Sequence, residues 1–253
     1  MDIAQQTKFK ILLVGDNGVD QYQYGIVNRI SPEAPVPIID YSHTDTKPGM
    51  AANVKENLEI LGCKVNFKHG NRTSIKTRII DLKSKQQLVR IDQDQISKPV
   101  KLDYNTINKY DSVVISDYNK GSVTYDIIND ILKNYTGPVF IDTKKQELEQ
   151  FENCVIKINS LEYGKLKSLP KSSTDLIVTH GEKGVYYNNE WFSPVKVEVS
   201  DVCGAGDTFL SALVYGFLTY NSIRSAIEFA NKASAITIQH VGVYSPTLKE
   251  IND

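Results

Sequence analysis

The sequence predicts an α/β protein, a mainly parallel sheet covered by helices with a small β lid, on three observations. Short apolar runs of strand length alternate with segments of helical periodicity, the rhythm of β-α-β units. The first run, Ile11-Leu-Leu-Val14, opens at Gly15 and Asp16 into a polar loop, as a buried strand does at its carboxyl end. A Pro-interrupted stretch after Tyr22 breaks that rhythm and cannot be helical, because Pro32, Pro35 and Pro37 remove donors and extend the residues before them.

That stretch, 22–41, is assigned to edge strands or a flap. Gly49 and Met50 then lead into a helix over 51–61, with Val54, Leu58 and Leu61 at helical spacing and Gly62 as its stop. Ile75, Thr77 and Ile79, then Leu88, Arg90 and Asp92, alternate as two strands joined by a Lys-rich turn at 83–85, placed to pair with the flap. Strands at 112–116, 139–141, 155–158 and 176–179 follow, with helices at 124–135 and 160–166. A hairpin at 185–192 turns on Asn188-Asn189, and helices at about 205–220 and 222–239 close the chain. No repeat, low-complexity tract or linker divides it, so 1–253 is expected to be one domain with lid segments at about 21–45 and 74–92.

Composition removes several functional classes. With 29 Lys plus Arg against 30 Asp plus Glu, the formal charge is -1, which offers no basic footprint for nucleic acid or an anionic membrane. No apolar run approaches the roughly 20 residues that span a bilayer, and residues 1–10 show no apolar signal core, so a cytoplasmic location is expected. Cys63, Cys154 and Cys203 lie far apart without a CxxC pair, and His43, His69, His180 and His240 are equally dispersed. Separate reduced thiols are therefore expected, and any metal should arrive with a substrate.

The sharpest chemical signal is Asp201-Val-Cys-Gly-Ala-Gly-Asp-Thr-Phe209, a Gly-rich turn running directly into an amphipathic helix. Gly204, Ala205 and Gly206 allow main-chain N–H groups to approach an anion, and the helix N-terminus behind them adds unsatisfied donors. A carboxylate at Asp207 would repel that anion unless it takes a proton from an attacking hydroxyl, which makes it a general-base candidate. Helix capping by Asp207 accounts for the same residue equally well. Lys76 and Arg78 share one strand face and, with Arg90 nearby, are candidates for a phosphate, although charged strand faces also protect sheet edges. Cys203 before the turn is taken as structural. No GxGxxG follows the first strand, which excludes a dinucleotide fingerprint there.

The Gly204-Ala-Gly-Asp207 turn resembles the second signature of the ribokinase-like (PfkB) sugar kinase family. Further stretches are similar to one branch, the D-glycero-β-D-manno-heptose 7-phosphate kinases. These are Val14 to Gly25, Arg29-Ile-Ser-Pro-Glu-Ala-Pro-Val-Pro37, Pro48-Gly-Met-Ala-Ala-Asn-Val54, Lys76-Thr-Arg78, Gln86 to Asp92, Ser116-Asp-Tyr-Asn-Lys-Gly121, Ile141-Asp-Thr-Lys144, Asn159-Ser-Leu-Glu162, Val178 to Gly184 and Phe229-Ala-Asn231. They are collinear across nearly the whole chain.

The resemblance implies a ribokinase-like three-layer α/β/α sandwich and an ATP-dependent kinase that phosphorylates the anomeric hydroxyl of a sugar phosphate. Asp207 would be the base and Gly204, Ala205 and Gly206 the anion hole. Asp16, Asp20, Gly49 and Asn53 would meet the sugar, with Lys76 and Arg78 toward its phosphate. Asn159, Glu162, Thr179, Gly181, Gly184 and Asn231 would border the nucleotide, Glu162 acting indirectly on Mg2+ and Asp201 standing as a candidate for K+. Relatives that pair through lid strands imply a homodimer.

The chain departs from the family at two places. Met50 replaces the second glycine of a Gly-Gly pair, which puts the identity of the sugar in doubt. Only His69 to Ser74 separates the strand near Val65 from the Lys76 segment, where the family inserts a turn, a helix and a strand, so one strand-helix unit should be missing. No HxGH motif is present, so the resemblance implies the kinase half alone of a fused bacterial enzyme. The other expectations are a kinase for a different sugar and a silent homologue.

Overall fold

A computed structural model describes residues 8–253; residues 1–7, most of the segment expected to lack a signal core, lie outside the described residues. In chain order the elements are β1 (Lys10–Gly15), β2 (Asn17–Ile30), β3 (Pro37–Met50), α1 (Ala51–Ile60), β4 (Lys64–His69), β5 (Ser74–Asp81), β6 (Gln87–Gln93), β7 (Ser112–Asp117) and α2 (Tyr125–Asn134). They continue with β8 (Val139–Thr143), β9 (Val155–Asn159), α3 (Ser160–Tyr163), β10 (Asp175–Thr179), β11 (Val185–Tyr187), β12 (Glu190–Phe192), α4 (Ala205–Tyr220), α5 (Ile223–Thr237) and α6 (Leu248–Asn252).

The main sheet has eight strands in the order β12-β11-β10-β9-β8-β7-β1-β4. From β10 to β4 every neighbouring pair is parallel, and only the β11–β12 hairpin adds antiparallel pairing. Both faces are covered, which is why these strands are apolar at both parities. Ile11 and Leu13 of β1 pack in one cluster with Val54 and Leu58 of α1, Leu213 of α4 and Ile227 of α5. Leu12 and Val14 face the opposite way, with Ile128 and Ile131 of α2.

Local sequence sets the helix ends. Thr124 starts α2 by accepting from the Ile127 N–H, and Ser222 does the same for α5 through Ser225. The helix expected over 160–166 is only the single turn of α3, capped reciprocally by Asn159 and Glu162, because Gly164 ends it. The hairpin at Asn188-Asn189 forms as expected, with φ of 47° and 61° at the two residues, the left-handed conformations that a tight hairpin turn requires.

The lid is a second sheet, β3-β2-β5-β6. β2 and β3 form a long antiparallel hairpin around the proline segment, β5 joins β2 in parallel, and β6 closes the edge. The pairing sets Asp20 beside Lys76 and Tyr22 beside Arg78. Every residue of β6 is exposed, including Leu88, Val89 and Ile91. The two sheets meet where β1 ends: the Ala51 N–H donates to the Asp16 carbonyl at 3.1 Å, so α1 starts beside the loop that leaves the central strand. β4, after which the missing unit was expected, is the last strand of the main sheet.

Candidate active site

Parallel sheets bind ligands beyond the carboxyl ends of their strands. At that edge the chain places Asp16 after β1, Tyr118 after β7, Asp142 and Lys144 at β8, Asn159 at β9 and Thr179 at β10, with the N-terminus of α4 above them.

Asp207 lies in the first turn of α4 and does not cap it. The N-cap is Gly204, at φ 77°, and no side chain caps the helix. The Asp207 carboxylate instead accepts from Asn53 Nδ2 at 2.9 Å on one oxygen and from the Tyr118 hydroxyl at 2.6 Å on the other. Asp207 is only 7% exposed, and this burial pushes its pKa up to about 6, while the hydrogen bonds from Tyr118 and Asn53 hold it down. Such a carboxyl exchanges its proton near neutrality, which suits a general base.

The turn is held from below. Lys157 Nζ donates to the Gly206 carbonyl at 3.3 Å and pairs with Asp142 at 2.6 Å, and both side chains are buried. Thr208 and Asn57 bond to each other, and Asn57 bonds to Asn53, so the inner faces of α1 and α4 are stitched beneath the carboxylate. The pKa of the Cys203 thiol is pushed up by burial, with Arg78 opposing.

Several residues expected at the sugar do something else. Asp16 is 1% exposed, and its two oxygens accept the backbone N–H groups of Tyr118, Lys120 and Ser122 at 2.9 to 3.0 Å. It braces the loop that carries Tyr118. Arg78 is buried in an ion pair with Asp20 and lies over the Tyr22 ring, so it is not a free cation for a phosphate. Gly49 is required by this pair, since a Cβ there would sit 2.5 Å from Asp20 Oδ2. Lys76 does reach the site, with its ammonium 5.5 Å from the centre of the Tyr118 ring.

Lys144, which no sequence role singled out, lies 5.2 Å from the same ring and pairs with Glu162. Burial and the nearby Lys157 and Lys76 hold its ammonium below the ordinary lysine range, with Asp142 opposing. Glu162 thus serves Lys144 and the Asn159 capping box. Asp201 spends its oxygens on the N–H groups of Cys203 and Gly242, which hold its pKa low against the effect of burial. Among the described residues no cluster of three His, Cys, Asp or Glu side chains could cage a metal.

On the other side of the turn lies a cavity of about 660 Å³. Thr179, Gly181, Gly184 and Asn231 all line it, together with Ala205 and Gly206 of the anion turn. Its walls are mostly apolar, from Val195, Val197, Val199 and Phe209, the lining expected for a flat heterocycle. Gly184 at φ 91° is obligatory there, because a Cβ would fall 2.1 Å from the Phe192 carbonyl. Tyr118, Lys144 and Lys157 are what sequence reasoning missed; the signal available for the first two was position, since each stands just after the carboxyl end of a parallel strand, whereas Lys157 lies in the middle of β9.

Comparison with known proteins shows what the chain is similar to. The family described as "pfkB family carbohydrate kinase" matches residues 163–250. "Bifunctional protein HldE" of a Nitratiruptor species is 31% identical over 302 residues, covering 97% of this chain and 65% of the relative. The protein of the same name from Campylobacter jejuni (strain RM1221) is 30% identical over 304 residues, covering 99% and 66%. The chain therefore spans about two thirds of the length of the curated relatives it matches. Among solved structures, ribokinase from Thermotoga maritima superposes with a TM-score of 0.72 at 20% identity, over 97% of this chain and 98% of that one. Arabidopsis thaliana ribokinase complexed with ribose and ATP gives 0.71 at 15% identity, over 96% and 97%.

Proposed function

We propose that the chain is a carbohydrate kinase of the pfkB family and that it transfers the γ-phosphoryl group of ATP to the anomeric hydroxyl of D-glycero-β-D-manno-heptose 7-phosphate, giving the 1,7-bisphosphate. One observation carries this reading: Asp207 stands buried at the boundary between a cavity of nucleotide size and a lysine-lined cluster under the lid. The heptose assignment rests on the collinear motifs and on the HldE relatives, and it places the reaction in the supply of heptose for surface polysaccharide.

In this reading the nucleotide base lies over 181–184 and against the valine wall, with Asn231 at its margin. Asp207 takes the proton of the acceptor hydroxyl, whose oxygen bonds to the γ-phosphorus as the bond to the β,γ-bridging oxygen breaks and ADP leaves. The Ala205 N–H is spent on the Val202 carbonyl, so the N–H groups of Gly206 and Asp207 at the α4 N-terminus would serve as the preorganised donors to the transferring group. Lys76 and Lys144 supply positive charge on the acceptor side. Magnesium enters as part of the MgATP substrate, with Glu162 and Asn159 nearby. The exposed apolar edge strand β6 makes a lid-mediated homodimer the expected assembly.

Met50 favours a second reading, a kinase for a different sugar. It sits at φ 53° and ψ -134°, a conformation suited to glycine, with its thioether packed on Gly18 at the root of the lid. ADP release from MgATP with a panel of sugars and sugar 7-phosphates decides between them. The heptose reading expects turnover with the heptose 7-phosphate far above all other acceptors; turnover confined to another sugar overturns it and keeps the kinase.

A further inference from the structure

We infer that Tyr118 is a positioning residue for the base, holding the Asp207 carboxylate in one orientation and joining it to the two lysines of the acceptor side. The inference rests on the reading of Asp207 as the base. Its observations are geometric. The Tyr118 hydroxyl donates to Asp207 Oδ1 at 2.6 Å, while Asn53 fixes Oδ2 at 2.9 Å, so the carboxylate cannot rotate without breaking a buried hydrogen bond. The ammonium groups of Lys76 and Lys144 lie 5.5 and 5.2 Å from the centre of the same phenol ring, within cation–π range.

The loop under Tyr118 is built to hold it still. Its backbone N–H is one of the three donors to the buried Asp16 carboxylate, and the turn that wraps this carboxylate needs positive φ at Asn119, 57°, and Gly121, 92°. Asp16 therefore anchors the very residue whose side chain holds the base, and a chain of contacts runs from the end of β1 through β7 to the first turn of α4. A purely structural phenol would be satisfied by any nearby carbonyl. This one is spent on the one carboxylate of the turn, and its own proton is retained firmly, because burial and then the charge of Asp207 raise its pKa well above the ordinary value.

The hydrogen bond favours the anionic form of Asp207 against burial, so its loss should raise the carboxyl's proton affinity. The test is a 13C-carboxyl NMR titration of the full chain as parent, Tyr118→Phe and a variant with 3-fluorotyrosine at 118, the Asp207 signal being identified by its absence in Asp207→Asn. In parallel, kcat is measured against pH with MgATP and the heptose 7-phosphate.

Tyr118→Phe is expected to titrate at a roughly tenfold lower proton concentration than the parent, a shift of about one pH unit. The acid limb of kcat should move with it, activity should return at alkaline pH, and KM for ATP should stay put. The fluorinated tyrosine, a stronger donor, should shift both in the opposite direction. Unchanged titration midpoints in both variants, with kcat profiles that superimpose after scaling, would overturn the inference. Undiminished turnover by Asp207→Asn would instead remove the base reading, and the titration alone would still show whether Tyr118 governs this carboxylate.

Discussion

The two sides of the anion turn hold their ligands by different physics. On the nucleotide side, a cavity of about 660 Å³ is bounded by apolar walls and by backbone at Gly181 and Gly184, with few charged groups. On the acceptor side space is scarce and charge is dense: Asp20 with Arg78 in the lid, and Asp142 with Lys157 and Asp117 with Lys145 in the main sheet, are buried ion pairs. The first arrangement selects by shape and tolerates change. The second fixes dipoles before the reaction begins, as transition-state stabilisation requires, and its cost is the desolvation of several ions. Substitutions on the acceptor side should therefore act through electrostatics and pH, and those on the nucleotide side through packing and backbone.

The largest stability effect should come from Lys157→Met, which leaves Asp142 buried without its cation and the Gly206 carbonyl without its donor. Urea unfolding should show a loss of about 3–5 kcal/mol, mostly recovered when Asp142→Leu is added. A loss that the second substitution does not recover would mean that Lys157 acts through the turn and not through the pair.

Asp207→Asn should act in the opposite direction. A carboxyl raised from 3.8 to about 6 on folding binds its proton more tightly in the native state, so it lowers stability as pH rises through that window. The cost is complete above about pH 6 and absent below about pH 4, amounting to about 3 kcal/mol when full. Thermal melts should find the variant more stable than the parent at alkaline pH and equal to it in acid. Identical melts across the range would show that the acceptor side is wetter than its packing suggests.

On the nucleotide side Gly184→Ala meets both a positive φ and the Phe192 carbonyl, whereas Gly181→Ala meets a positive φ and open space. The former should lose about 1–3 kcal/mol together with ATP affinity, and the latter about 1 kcal/mol. Calorimetric titration with ATP beside unfolding curves separates the two. The smallest effect is expected at Met50→Gly, where relief of the backbone offsets the lost thioether packing. Stability should change by about 1 kcal/mol or less, while KM for the acceptor moves and KM for ATP does not.

How much of this could be read from the chain divides along the same line. The nucleotide side was legible because its parts are local signatures: the 178–184 loop and the 204–207 turn each declare themselves within a few residues, and α4 spans 205–220 as its spacing predicts. The lid was legible in outline, since the proline stretch and the alternation after Ser74 could only be extended. The acceptor side was not. The N–H groups of Tyr118, Lys120 and Ser122 that Asp16 accepts lie about a hundred positions away in the chain. Arg78 reads as a free cation until parallel pairing of β2 with β5 brings it to Asp20. Tyr118 and Lys144 lie in matching stretches that assign them no role, and Lys157 lies in none; the sheet order β9-β8-β7 brings them together under Asp207. Pairings between distant strand ends are tertiary facts, and single-residue chemistry does not contain them.

The central claim is that Asp207 removes the acceptor proton. Single-turnover phosphoryl transfer by Asp207→Asn, with MgATP saturating and its affinity measured alongside, tests it most directly. The account predicts a rate lower by about 10²–10⁴, with ATP binding and folding intact, the loss typical of a missing general base. Transfer at the parent's rate would contradict it and leave Asp207 as a buried polar residue of the turn.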